Sequence, residues 1–319
     1  MKRNFDEYKL GGCLFEETPV AAPELSSAHS ALPERIDLRG LCTPVEDQGS
    51  IGSCAANAVV GAMEYHQRLS EQPLTDLSRL FVYYNARKLA DREAEDSGTF
   101  IHHAMASVMA FGACPERMWP YQKAMWATRP TDSCYEAALD FEAVSYARTP
   151  LGPACKAAVA EGLPVVFGAC LPASMIQVEA GITGRISLPA GGWPQPGGGH
   201  AMLIVGYDDA DGTWLIRNSW GADWGEGGYA RVPYQVMERY GMPTQFWVIG
   251  RIESAQGVRV SGTTVQASQE AIRSAAPAQA QNALAHLRGS LRHKLETDLA
   301  AAKAGFRERL RGPGAGGGY

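Results

Sequence analysis

The stretch Gln48-Gly49-Ser50-Ile51-Gly52-Ser53-Cys54-Ala55-Ala56-Asn57-Ala58 constrains this chain most, because it sets a single cysteine where a loop of small residues turns into a helix. The continuation Val59-Val60-Gly61-Ala62-Met63-Glu64-Tyr65 has the small, apolar content of a buried helix. A thiol at a helix N-terminus faces backbone N–H groups that lack intrahelical partners, and it sits at the positive end of the macrodipole. Both effects favour the thiolate, which is the nucleophilic form. Gln48 adds an amide side chain six positions upstream. A chain that uses Cys54 as a nucleophile must therefore bring a base, a group to orient that base and an oxyanion site from elsewhere.

The remaining sequence is long enough to supply them. Its 319 residues are 45% hydrophobic and 20% charged, which suits one large or two small domains with a real core. Residues 1–31 read as an irregular leader, since Pro19, Pro23 and the cluster Ser26 to Ser30 argue against a packed element. Helices are expected over 54–70, over 76–86 with Asp76 or Ser78 as cap, over 100–111 with Gly112 as terminator, and over 152–161. After about residue 140 the pattern changes to short apolar or β-branched runs between glycine turns, at 165–168, 201–205, 213–217, 228–232 and 245–249. Helices first and strands later imply an α+β protein of two packed halves, 32–140 and 141–252, with substrate in the cleft between them. Residues 253–319 form a low-complexity tail in which Leu284, Leu287, Leu291, Leu295 and Leu299 make a helical stripe within an amphipathic segment of about 279–311. That stripe reads as a surface or coiled-coil helix. A docking helix for a protein partner is the second reading, and a basic membrane-surface helix the third.

The whole-chain charge of −5 gives no case for a nucleic-acid partner. No run of 18 apolar residues exists, so no transmembrane helix is expected. The seven cysteines show no CxxC pair, so neither a metal nor another cofactor is expected. The basic start runs into polar residues rather than an apolar core, so the expected location is the cytoplasm, or outside the cell by a route that needs no signal peptide.

Of the seven histidines, His200 stands apart. It follows Gly197-Gly198-Gly199 and opens the strand over 201–205. Eighteen residues later a second strand ends in Asn218-Ser219-Trp220-Gly221, and an antiparallel pairing brings the Asn218 amide beside the His200 ring. One ring nitrogen then bonds to the amide and the other faces Cys54. Gln48 and the Cys54 N–H form the oxyanion site.

Four separated motifs make the chain resemble the papain-like cysteine proteases. They are Gln48-Gly49, Gly52-Ser53-Cys54, Gly199-His200-Ala201, and Arg217-Asn218-Ser219-Trp220-Gly221 with Trp224-Gly225-Glu226-Gly227-Gly228-Tyr229. His200 lies 146 positions beyond Cys54, within the roughly 130–150 of that family. The resemblance covers about 32–252. It implies a helical left domain and an antiparallel β-barrel right domain with the active site between them. It also implies a cysteine endopeptidase acting on a peptide or protein substrate through Cys54 and His200, with Gln48 in the oxyanion hole and Asn218 orienting His200. Gly98, Phe100, Ala201 and Trp220 would line the substrate groove, with Trp220 shielding the His200–Asn218 bond.

Two places break the family pattern. The family has a cysteine three before the nucleophile, bonded to another three before the groove glycine, where this chain has Ile51 and Glu95; a tryptophan that follows the nucleophile is Ala55 here. The pattern resembles the compact bacterial members. The sharper reading of the leader is that it crosses the cleft and blocks Cys54 in a zymogen. A non-catalytic peptide-binding relative, or another thiol acyl-transferase such as a transglutaminase-like protein or a cell-wall amidase, is the competing function.

Overall fold

The computed structural model describes residues 5–16, 22–25, 31–71 and 73–254. In chain order the elements are β1 (Cys13–Leu14), β2 (Arg35–Asp37), α1 (Cys54–Leu69), α2 (Arg79–Lys88), β3 (Thr99–Phe100), α3 (Ile101–Ala110) and α4 (Asp132–Ala138). They are followed by β4 (Phe141–Arg148), α5 (Pro153–Ala160), β5 (Val165–Ala169), α6 (Ala180–Thr183), β6 (His200–Asp208), β7 (Thr213–Arg217), β8 (Tyr229–Pro233), α7 (Tyr234–Tyr240) and β9 (Gly241–Ser254). The α+β class read from the sequence is the observed one.

Helix α1 is buried from Cys54 through Gln67, as its run of Ala, Val, Gly and Met requires. It packs against α2 and α3 on one side and against β6 and β9 on the other. Of the two cap candidates for α2, Ser78 is the one used: its Oγ accepts the Phe81 N–H at 3.2 Å. Helix α3 stops where Gly112 takes φ +71°, and a Cβ there would collide with the carbonyl oxygen of Ala138. Gly112→Ala therefore combines backbone strain of about 1–3 kcal/mol with overpacking of similar size. We expect thermal denaturation to show a melting temperature lower by roughly 5–15 °C; an unchanged melting curve would contradict this account of the α3 terminus.

The main sheet has seven strands in the order β4-β9-β5-β6-β7-β8, with β2 added to β6, and every pairing is antiparallel. Alternation along the strands gives the sheet two apolar faces. Val166, Leu203, Val205, Leu215, Trp247 and Ile249 join the helical core, while Val165, Phe167, Met202, Ile204, Ile216 and Val248 build a second core on the other side. The expected barrel does not close. At one edge β4 exchanges bonds with the N-terminal segment, Leu25 N–H to Arg148 O and Arg148 N–H to Pro23 O, both at 2.7 Å. At the other, β8 does so with the chain after α6, through Ile186 N–H to Arg231 O at 3.0 Å and Arg231 N–H to Gly184 O at 2.9 Å. Irregular segments thus satisfy the backbone groups that closure would have paired.

The reading of residues 1–31 as unpacked needs correction for the part described. Phe5, Tyr8, Cys13 and Leu25 are buried, Cys13 in the helical core and the other three in the second core. The proline and serine signals that suggested a loose segment describe its lack of regular structure, and the two aromatics supply the apolar area that holds it down. The helical stripe at 279–311 lies outside the described residues. Among the described residues no helix is long and apolar enough to cross a membrane.

Candidate active site

The residues singled out in the sequence come from three places in the fold. Cys54 is the first residue of α1, His200 the first of β6, and Asn218 the first beyond β7. The register Leu203↔Arg217 between β6 and β7 carries Asn218 to the His200 end of the pair. His200 Nε2 lies 2.8 Å from Asn218 Oδ1, and the same oxygen accepts the Ser219 N–H at 2.8 Å. An oxygen already facing a donor fixes Nε2 as the protonated ring nitrogen, because a neutral imidazole has one donor and one acceptor. Nδ1 is then the acceptor, and it is buried with no hydrogen-bond partner among the described residues. The ring of Trp220 covers the imidazole at 4.9 Å between centroids, tilted by 34°.

The backbone N–H groups of Ala201, the residue after His200, of Ala55 and of Cys54 itself lower the pKa of the Cys54 thiol. Helix α1 packs on β6, and the two elements begin at Cys54 and His200. Gln48 is fully buried. Its Oε1 accepts the Ser219 hydroxyl at 2.6 Å, its Nε2 donates to Ile51 O at 3.0 Å, and its backbone N–H and C=O are bonded to Ser219 O and the Tyr121 hydroxyl. An amide nitrogen carries two hydrogens, so Nε2 keeps a second donor.

A helix N-terminus by itself favours the thiolate. In this structure burial outweighs that effect. It pushes the Cys54 thiol up to about 11, although the three backbone N–H groups pull it back, and it pushes the His200 imidazole down to about 4 against the raising effect of Asn218. Thiol and imidazole are both neutral at pH 7.

The cover that buries them is the N-terminal segment. Tyr8 stacks on Trp220 at 5.0 Å, with its hydroxyl donating to Asp47 Oδ2 at 3.0 Å, and Phe5 lies behind at 6.4 Å from the same indole. Gln177 Nε2 donates to the carbonyls of Phe5 and Tyr8. Lys9 pairs with Asp96 Oδ2 at 3.1 Å. The N–H groups of Gly11 and Cys13 both donate to Gly199 O, at 2.9 and 3.1 Å. The Gly12 carbonyl accepts the Thr99 N–H at 3.0 Å, and Cys13–Leu14 runs parallel to Thr99–Phe100. The Cys13 sulfur points to where Gly168, Ile101 and Gln245 meet.

The residues expected to line the groove are therefore in contact with this segment or beside it. Gly98 abuts Gly12, Phe100 is in register with Leu14, Trp220 lies under Tyr8, and Ala201 pairs with Gly168 beneath Cys13. All seven cysteines are free thiols, with Ile51 and Glu95 at the positions of the missing disulfide.

Sequence reasoning did not find Tyr8, Cys13, Tyr83, Asp96 or Tyr121. The aromatic pair Phe5 and Tyr8 followed by Gly11-Gly12 was the available signal: anchors ahead of a backbone thin enough to enter a cleft. Asp96, next to Glu95, carried no local signal.

The family described as papain family cysteine protease matches residues 32–248. An uncharacterized peptidase C1-like protein of Acanthamoeba polyphaga mimivirus is 33% identical over 220 residues, covering 65% of this chain and 69% of its own. The thiol protease aleurain of Arabidopsis thaliana is 31% identical over 244 residues, covering 68% of this chain, which spans 63% of aleurain's length. The crystal structure of xylellain, a cysteine protease from Xylella fastidiosa, superposes with a TM-score of 0.66 at 33% identity, covering 80% of this chain and 99% of that one.

Proposed function

This chain belongs to the papain family of cysteine proteases, and we propose that it hydrolyses peptide bonds through Cys54 and His200, with Asn218 orienting the imidazole and Gln48 completing the oxyanion site. The observation that carries the reading is the seating of β6 on α1. Helix α1, which begins at Cys54, packs on β6, which begins at His200, while His200 is held through Nε2 and keeps an Nδ1 with no hydrogen-bond partner among the described residues. A base fixed at one nitrogen and open at the other, next to a thiol, is the arrangement acyl transfer needs.

In the reaction His200 Nδ1 takes the thiol proton and the thiolate attacks the substrate carbonyl carbon. A C–S bond forms as the carbonyl π pair moves onto oxygen. The free hydrogen of Gln48 Nε2 and the Cys54 N–H receive that oxyanion. Collapse breaks the C–N bond, and the imidazolium gives its proton to the departing amine. Water, deprotonated by His200, then attacks the thioester and releases acid and thiolate. Asn218 holds the ring in the right tautomer throughout, and Trp220 keeps water from the Asn218 bond.

The chain is further read as a self-blocked endopeptidase. Support comes from the N-terminal segment, which occupies the surfaces of Gly98, Phe100 and Trp220 that a substrate would need. Displacing or cutting it opens the cleft and restores water to the thiol–imidazole pair.

Gln48→Ala tests the oxyanion assignment. Losing one donor should lower kcat by roughly 100- to 1,000-fold with little change in KM, because the bond is made in the transition state rather than with bound substrate. Steady-state kinetics on a fluorogenic peptide measures the split, and a wild-type kcat would remove Gln48 from the site.

A further inference from the structure

The loop that delivers Cys54 lies against the loop that carries Gly98, backbone on backbone. A Cβ on Gly52 would stand 3.1 Å from the Cα and N of Gly98 and 3.2 Å from the Tyr83 hydroxyl. No side chain fits between the two segments, and no disulfide joins them. What crosses the gap is a carboxylate. Asp96 Oδ1 accepts the Gly52 N–H at 2.9 Å and the Tyr83 hydroxyl at 2.5 Å, while that hydroxyl accepts the Gly98 N–H at 3.2 Å. Tyr83 is buried on α2, which packs on α1, so the anchor is part of the helical core.

We infer that Asp96 is a positioning residue of the active site, a hydrogen-bonded clamp that fixes the Ile51–Ser53 loop against the Gly98 segment where a bond between positions 51 and 95 would otherwise do so. Gly52 is two residues from Cys54, and the neighbouring Ile51 carbonyl receives both Gln48 Nε2 and the Ser53 N–H. A shift of Gly52 therefore moves the amide of Gln48 and the first turn of α1 together. Charge-assisted bonds to a backbone N–H and a phenol are short and directional, which suits them to this task. Burial works against the carboxylate, but the bonds from Tyr83, Gly52 and Lys9 hold its pKa below the usual carboxylate range. The clamp is intact above that range and is lost as pH falls through the depressed value. Asp96 also receives Lys9 of the N-terminal segment, so the clamp doubles as the docking point of the blocking segment.

The inference rests on the cysteine-protease reading above, and five full-length variants separate the two. Lys9→Ala removes the docking contact while leaving the Gly52 and Tyr83 bonds of Asp96 in place, and at neutral pH it should leave kcat unchanged or raise the initial rate. Asp96→Ala also loses that contact, yet it should lower kcat by roughly 10- to 100-fold, the scale of a small misplacement of catalytic groups. Tyr83→Phe keeps the packing and should lower kcat in the same direction by less. Adding Ile51→Cys and Glu95→Cys to Asp96→Ala should restore kcat to within about threefold of wild type once the disulfide forms, and reduction should remove the gain. A wild-type kcat for Asp96→Ala, or a defect that persists with the disulfide formed and mapped, overturns the inference. Cleavage that survives Cys54→Ala would instead overturn the reading beneath it.

Discussion

Cys54→Ala should abolish peptide cleavage, with kcat/KM falling on the order of 10⁴-fold or more, the scale on which loss of a nucleophile registers when the other groups stay in place. The substitution removes one sulfur from a fully buried site and leaves the His200–Asn218 bond at 2.8 Å and the Gln48–Ser219 bond at 2.6 Å untouched. Its effect on folding should be small, because an alanine replaces a small side chain at the head of a helix already rich in alanine. An unaltered thermal transition together with lost cleavage is therefore the expected pair of results. Full cleavage by the variant would mean that another group performs the attack, since six further thiols are present. Cys42, Cys114 and Cys155 have pKa values raised by burial.

The second large effect concerns the N-terminal segment. A chain beginning at Leu32 should cleave peptides at an initial rate roughly 100-fold or more above the full chain. The estimate follows from the thiol alone. At about 11 under the segment, it is ionised in on the order of one molecule in 10⁴ at pH 7. Returning it to its ordinary value of 9.0 raises that fraction roughly 100-fold before any gain in access. Truncation also removes Phe5 and Tyr8 from the core and Leu25 from the edge of β4, so it costs some stability. The double variant Tyr8→Ala/Lys9→Ala weakens seating while leaving the β4 edge covered, and it should activate in the same direction. The imidazole adds a pH dependence. Its pKa is about 4 when covered and near 6.5 when open, so the covered state is favoured above about 6.5 and loses that advantage as pH falls toward 4. Preincubation of the full chain below pH 6 should raise its subsequent initial rate. Equal rates for the full chain, the truncated chain and the double variant would show that the segment does not block the site.

Much of the fold was legible because single local signals decided it. The alanine- and valine-rich run after Cys54 gave α1 to within a residue, Ser78 and Gly112 gave one end each of α2 and α3, and β7 matched its expected 213–217. The pairing of His200 with Asn218 was legible for a different reason. His200 and Asn218 lie at the ends of adjacent strands, and an antiparallel hairpin returns them to the same height whatever the rest of the chain does.

What escaped the sequence depends on distant partners. The long β9, running from Gly241 to Ser254, extends well beyond its expected core because β4 and β5 pair along different parts of it. The sheet stays open because segments around Pro23–Leu25 and Gly184–Ile186 bond to the edge strands in place of one another. Tyr8 reads as an ordinary leader residue until Trp220, 212 positions away, supplies a ring to stack on. Asp96 gains its role only when Gly52 and Tyr83 converge on it from 44 and 13 positions away.

The most direct measurement of the central claim is mapping of the adduct left by an epoxysuccinyl thiol inhibitor. The Tyr8→Ala/Lys9→Ala chain is treated at neutral pH, digested and analysed by mass. One equivalent should appear on the peptide containing Cys54 and none on the other six cysteines, with much slower labelling of the wild-type full chain. An adduct on another cysteine with Cys54 unmodified would contradict it.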